Sequence, residues 1–491
     1  MGNAYFAWDF GSRPLRPFSQ PSTGLHNCFC CCLIVRAHPP FCLNNPPSAA
    51  ARAVDPFRAT FAMTSPPATP PVEPPHDSEL WRFEETGATC EWAEEYCPGG
   101  FHPVNLGDTF HGGKYKAIRK LGDGSYSTVW LAVSKGTPRY VALKIMIAKA
   151  ASSATELLIL EKLSKLAPMD PNSQHITVLL DEFQHEGPNG KHQCLVFEVM
   201  GATAASLVEE LPENKPKMYG KVERYPKWLS KKILLHSLRG LSFLHSNGIV
   251  HGDMQPGNML FSAQDICTVD EDELAQDEET TAIPLQRLDG KTDRWAPKNL
   301  YLQQSLHDRV KLTPQLLVKL SDLGSAFWQT QPPTSTVTPV ALRAPELILR
   351  QPFGPAIDIW SFGCLMFEFL TGRTLFALMM LSHDEKEQND TDDDHLIQLN
   401  DILGPLPDSM MRAWPRARKW YTQDRHRLQP YSNDPPYIHD ALDKLFADHK
   451  SPEISDEESA VVLALIRQIL DFDPQKRPSA HALLKHPWFS S

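Results

Sequence analysis

His251-Gly252-Asp253-Met254-Gln255-Pro256-Gly257-Asn258 puts a carboxylate five residues before an amide, directly after Leu244-His245-Ser246-Asn247-Gly248. A carboxylate can take the proton of an incoming hydroxyl, and an amide oxygen can hold a cation against phosphate oxygens. Three other stretches offer complementary chemistry. Leu121-Gly122-Asp123-Gly124-Ser125-Tyr126-Ser127-Thr128-Val129 reads as a hairpin in which Gly122 and Gly124 bring backbone up to phosphates without a Cβ clash. Ser127 fills the third small position, and Val129 would cover a flat base. In Tyr140-Val141-Ala142-Leu143-Lys144-Ile145, period two puts Ala142 and Lys144 on one face. Small Ala142 leaves room for the base while Lys144 reaches the phosphates. Val318-Lys319-Leu320-Ser321-Asp322-Leu323-Gly324 ends an apolar run on a second candidate metal ligand, Asp322, with a Gly behind it.

These groups need elements to carry them. Lys144 requires an acidic partner on the following helix, where Glu156 and Glu161 compete. Leu160 and Leu163 follow Glu156 at four and seven residues, so Glu156 shares the buried face. Lys165 follows Glu161 at four, which puts Glu161 on the wet face, and Glu156 is chosen. Leu195-Val196-Phe197-Glu198-Val199-Met200-Gly201 reads as a strand running into a hinge. Phe197 would back the base pocket, and backbone groups near Glu198 and Met200 would bond the base. From Tyr115 the chain is strand-rich; from about Leu229 apolar residues recur three and four apart, the helical period. A β-rich half followed by an α-rich half predicts an α+β fold of two lobes. Asn258 and Asp322 are too far apart for a tight hairpin, so the acidic tract after Asp265 is an insertion between two strands.

The expected organisation is a leader over 1–80, an extension packing on the main body over 81–114, a first lobe over 115–200 and a second over 201–489, with an acidic insert at about 265–312. The leader is rich in Pro and Ala, buries little and is read as disordered. Cys28-Phe29-Cys30-Cys31-Cys32 has no partner at zinc spacing, and Phe6 stands where a myristoylation signal wants Ser or Thr. Met63 is a candidate internal start. The 491 residues carry a net charge of −11, which suits basic partners and argues against nucleic acid. No apolar run is long enough to span a bilayer, and ten Cys make no disulfide framework in a chain of this length. Asp270-Glu271-Asp272-Glu273 and Asp392-Asp393-Asp394 read either as attractors of Arg-rich peptides or as solvated loops.

In order, the glycine hairpin, Lys144, Glu156, Asp253, Asn258, Asp322, Ala344-Pro345-Glu346, Asp358 and Arg477 resemble the protein-kinase signature over about Tyr115 to Phe489. Tyr96-Cys97-Pro98-Gly99-Gly100-Phe101-His102-Pro103-Val104, the hinge run, Asp322-Leu323-Gly324 and the large insert resemble the SR-protein kinases, which phosphorylate serines of Arg/Ser-rich splicing factors. The resemblance implies a Ser/Thr protein kinase of cytoplasm and nucleus that acts as a monomer on basic proteins with ATP and Mg2+. It implies Asp253 as base, Lys144 and Glu156 orienting phosphates, Asn258 and Asp322 holding metal, Asp358 capping the catalytic loop, and Arg477 pairing with Glu346. Two departures stand out. Gln255 replaces the loop Lys and brings no charge to the γ-phosphate. Gly252 replaces an Arg, so no cation awaits a phosphorylated activation loop, and the family implies activity without that phosphate. A nucleotide-binding scaffold without turnover is the rival reading.

Overall fold

A computed structural model describes residues 67–75, 77–150, 154–216, 221–378, 384–430 and 435–490. The cysteine cluster at 28–32, Phe6 and Met63 lie outside them. The end of the expected leader is not loose. Pro70 is buried, Cys97 Sγ donates to the Val72 carbonyl at 3.4 Å, and Trp81 Nε1 donates to the Pro75 carbonyl at 3.3 Å. Proline supplies no N–H of its own, so these carbonyls take donors from the segment that follows. The seated chain therefore starts before the boundary expected at residue 80.

Strands β1 (Thr109–Phe110), β2 (Tyr115–Gly124), β3 (Ser127–Ser134), β4 (Tyr140–Met146), β5 (Leu179–Gly187) and β6 (Gly190–Phe197) form an antiparallel sheet in the order β1-β2-β3-β4-β6-β5. The hairpin turn of Gly124 and Ser127 is a register pair of β2 and β3. Side chains alternate across this sheet. Trp130, Leu143 and Val196 join one core cluster, whereas Leu131 and Tyr140 join another. Both faces are thus covered, which accounts for strands that read as nearly continuous apolar runs.

The cover comes from two segments distant in sequence. The extension supplies Phe83, Tyr96, Phe101 and Phe110, and the acidic tract supplies Val269, Leu274, Leu300, Tyr301 and Leu306, all buried. The tract as a whole is therefore not a merely solvated loop, although Asp270, Asp272 and Glu273 within it stay exposed. A few apolar side chains spread along it are enough to seat it, and its short strands β10 (Ala282–Pro284) and β11 (Asn299–Tyr301) pair with each other. The two segments also meet each other. Phe83 bridges Arg287, Glu84 N donates to the Gln286 carbonyl at 2.9 Å, and Asn189 Nδ2 ties Phe101 O at 2.6 Å to Trp295 O at 2.7 Å. Buried Lys120 is neutralised by Glu91 and by Asp123 at 3.0 Å, as a charge shut away from water requires.

Helix α1 (Ala154–Leu166) buries Ile159, Leu160 and Leu163 under the sheet. β7 (Met200–Thr203) and α2 (Ala204–Glu210) lead out of the hinge; Thr203 and Ser206 form a reciprocal capping box there. Helix α3 (Lys227–Ser246) and helix α4 (Ala356–Thr371) are the core of the second lobe; α4 is apolar nearly all round and is buried accordingly. Beside them β9 (Met259–Ser262) pairs antiparallel with β12 (Val318–Leu320), which fixes 265–312 as an insertion. Short β8 (Ile249–Val250) pairs with β13 (Phe327–Trp328).

The second acidic tract is not a merely solvated loop either. Asp392-Asp393-Asp394 lies within helix α5 (Glu385–Leu403), and Asp393 is fully buried. Its carboxylate accepts from Trp414 Nε1 at 2.7 Å, Arg416 Nε at 2.8 Å and Trp420 Nε1 at 2.8 Å. Asp393 is a structural anion, and Asp394 is the exposed member of the three.

Gln276 tests how firmly the insert is seated. Its Oε1 accepts from Lys120 N at 2.8 Å, and its Nε2 donates to Thr281 Oγ1 at 3.0 Å and Leu302 O at 2.8 Å. Gln276→Ala strands the buried Lys120 N–H and removes a donor from the part-buried Leu302 carbonyl, for an expected loss of about 1–3 kcal/mol. Urea unfolding of the purified variant, read by tryptophan fluorescence, measures it.

Candidate active site

The site lies where the strand sheet meets the helical lobe. On β4, Lys144 pairs in register with Val129 of β3 and Leu195 of β6, and Ala142 pairs with Phe197. This register gathers four of the expected pocket residues on adjacent strands. Ala142 and Lys144 are each 8% exposed between more deeply buried neighbours, so both look into the cleft. Lys144 Nζ contacts Glu156 Oε1 and Asp322 Oδ1, each at 2.8 Å. Burial alone would lower the Lys144 pKa, but the Asp322 and Glu156 carboxylates outweigh it and hold it above its ordinary value. The Lys144 charge correspondingly lowers that of Asp322. Glu156, chosen by helical face, is the acid on Lys144.

The approach of Glu156 is set by backbone. Ala148 N donates to Gly100 O at 3.0 Å and Lys149 N to Gly99 O at 2.8 Å. The extension thereby grips the residues that lead from β4 toward α1.

The catalytic loop is a compact network. Gln255 Nε2 donates to both Asp253 oxygens, at 2.9 and 2.8 Å. Asn258 Nδ2 donates to Asp253 O and Oδ2, both at 2.9 Å. Burial raises the Asp253 pKa above its ordinary value, while the charge of His251 and the donors Gln255 and Asn258 pull the other way. Ser321 N donates to Asn258 O at 2.9 Å, and His251 Nε2 lies 3.2 Å from Ser321 O. These bonds hold the loop beside Asp322. Asp322 itself sits at φ 59°, a left-handed position that Asp tolerates better than most side chains.

Beneath the loop, Asp358 accepts from His251 N at 2.8 Å and Gly252 N at 2.9 Å, and its Oδ2 lies 2.9 Å from His245 Nε2. Burial opposes its charge, yet these partners keep its pKa lowered. Glu346 and Arg477 form a buried two-pronged pair, with Nη1–Oε1 at 2.7 Å and Nη2–Oε2 at 2.9 Å. Gly252 has φ 78°, and a Cβ there would stand 2.9 Å from the Ser325 carbonyl. The backbone thus disfavours any side chain at this position.

The donor set fits a cation. Asn258 spends its Nδ2 on Asp253, which leaves Oδ1 as an acceptor, and Asp322 gives Oδ1 to Lys144, which leaves Oδ2. Oxygen donors of this kind suit a hard divalent ion. At the hinge, Glu198 N donates to the Val178 carbonyl at 3.3 Å, so this N–H is already engaged. The Glu198 carboxylate is held by Lys319 Nζ at 2.7 Å. Met200 is buried, and Leu121, Val129 and Phe197 are half-buried at the cleft. Gly122 lies beside Gln303 of the insert, whose Oε1 a Cβ would meet at 3.8 Å. Leu260 was not anticipated. It is the partly exposed residue between Met259 and Phe261, both fully buried, and alternation turns it to the cleft floor. The signal was present in the strand period directly after Asn258.

The protein kinase domain family matches residues 115–272 and 296–489 of this chain. The serine/threonine-protein kinase SRPK of Physarum polycephalum is 32% identical over 416 residues, covering 82% of this chain and 91% of that protein. The chain belongs to the SR-protein kinase family. This kinase is also 28% identical to protein kinase dsk1 of Schizosaccharomyces pombe, over 81% of this chain and 84% of that one. The human dual specificity protein kinase CLK1 is 28% identical over 77% of this chain and 66% of its own length. The solved kinase domain PF14_0431 shares the fold, with a TM-score of 0.54 at 22% identity over 79% of this chain and 98% of that one. The SR-protein kinase family member described here is therefore a Ser/Thr protein kinase, using ATP and a divalent metal ion.

The Asp253 network gives a pH test. A base works only when deprotonated, so kcat falls as pH drops through its raised pKa. Gln255→Ala removes donors that stabilise the carboxylate, so the acid limb of the kcat–pH profile moves to higher pH. The profile measured from pH 5 to 9 for parent and variant shows this shift.

Proposed function

We propose that this kinase phosphorylates serines in Arg/Ser-rich proteins and so acts in the regulation of mRNA splicing, in cytoplasm and nucleus, as a monomer that does not itself bind nucleic acid. The observation that carries the reading is the closed set of Lys144, Glu156 and Asp322 beside a hydrogen-bonded Asp253, in a chain similar along most of its length to a protein named SRPK. The net charge of −11 supports a basic substrate. Exposed Glu385, Asp390 and Asp394 on α5 support it further.

In this reading Asp253 takes the proton of the substrate serine. Lys144, held by Glu156, steadies the nucleotide phosphates, and Asn258 and Asp322 are the residues that would hold Mg2+. The ion would supply charge to the transferring phosphoryl group. Gln255 holds the base in place but adds no positive charge as negative charge shifts in the transition state.

Incubation of the purified chain with labelled ATP and an Arg/Ser-repeat peptide is expected to give phosphoserine, with KM rising as salt screens the peptide's charge. Equal use of a neutral Ser peptide would overturn the substrate assignment. Asp253→Asn is expected to abolish turnover while nucleotide still binds, as read by a thermal-shift titration. Gln255→Lys is expected to raise kcat by about tenfold, the equivalent of ~1.4 kcal/mol of added charge stabilisation. A kcat equal to the parent's would show that the phosphate is reached by another route.

A further inference from the structure

We propose that Thr338 is a positioning residue for phosphoryl transfer, holding the catalytic loop through an uncharged hydrogen bond where no cation is available. The inference rests on the reading of Asp253 as the base.

Gly252 is buried, and its peptide groups are engaged on both sides. Its N–H goes to Asp358 Oδ1 at 2.9 Å, and its carbonyl accepts the Thr338 hydroxyl at 2.6 Å. The carbonyl belongs to the peptide bond that carries the Asp253 N–H, so the two contacts fix the backbone entering the base. Thr338 is 1% exposed and belongs to the segment between Asp322 and Glu346. That segment and the catalytic loop are therefore joined directly by this bond.

Thr338 is itself supported. Arg343 Nε donates to its carbonyl at 2.9 Å, and Thr336 Oγ1 lies 3.1 Å from its hydroxyl. The line runs from an arginine, through a threonine, to the residue before the base. At Gly252 a side chain would be strained, because a φ of 78° disfavours L residues and a Cβ would stand 2.9 Å from the Ser325 carbonyl. A buried carbonyl without a donor is costly, and the hydroxyl removes that cost as it ties the two segments together. Burial also withdraws the Thr338 hydroxyl from modification.

The test compares Thr338→Val, which keeps the shape and loses the donor, with Thr338→Ser, which keeps the donor and loses a methyl. Both are made in the full chain and treated with phosphatase before steady-state assay. Thr338→Val is expected to lower kcat by about 10–100-fold, because the base loses its fixed position, with KM for ATP within about twofold of the parent. Thr338→Ser is expected to stay within about threefold in kcat. Equal losses in the two variants, or a Thr338→Val kcat within about twofold of the parent, would overturn the proposal. Should Thr338→Val fail to bind nucleotide in a thermal-shift titration, Thr338→Ala replaces it; loss of nucleotide binding in both, with Ser retaining it, makes the hydroxyl a folding element and overturns the positional role. Asp253→Asn is assayed alongside. If that variant keeps the parent's turnover, the base assignment fails whatever Thr338 does.

Discussion

A buried carboxylate must be paid for in hydrogen bonds, and Asp358 is the one on which the catalytic loop hangs. It is 1% exposed and draws His251 N, Gly252 N and His245 Nε2 onto its two oxygens. Those contacts stand the loop on α4, the most apolar helix of the second lobe. Once Gly252 is held, its carbonyl direction is set, and Asp253 follows. The reacting carboxylate is thus placed from the protein core outward, so the cleft needs no rigid wall of its own.

The sheet side follows a different logic. Lys144 is positioned by strand register, but Glu156 must arrive from a helix, and a helix can tilt. Ala148 and Lys149, which follow β4, are held by the Gly100 and Gly99 carbonyls of the extension. The extension is in turn packed on the insert, so packing outside the two lobes reaches the end of the strand that carries Lys144.

Much of this was legible in the sequence, because local rules govern it. Period two placed Ala142 and Lys144 on one face, and helical period separated Glu156 from Glu161. The distance from Asn258 to Asp322 revealed an insertion between paired strands. What stayed open was the fate of the acidic tracts. The tract from 265 to 312 looks polar on average, yet Val269, Leu274, Tyr301 and Leu306 seat it, and Gln276 finds partners far away in sequence. Asp393 looks like one acid in a run of three. Its burial depends on Trp414, Arg416 and Trp420, more than a helix length downstream. Neither outcome can be read from a window of neighbours, because the deciding partners are not in the window. Gly252 shows the same limit. Sequence reveals a missing Arg, while only the backbone angle shows that a side chain there would be strained.

The two-sided cover of the first sheet also bears on how the chain is made. Leu131 and Tyr140 are covered by Val269, Leu274 and Leu306, which a ribosome delivers much later. At ordinary synthesis rates the interval is roughly 9–35 s, far longer than a hairpin takes to form. During that time the strands can pair, but one apolar face of the sheet stays open to water. The nascent first lobe is in this sense a half-closed sandwich waiting for its lid. Holding chaperones would find their target there, and a chain truncated before residue 269 would lack all three covering residues and keep that face exposed for good.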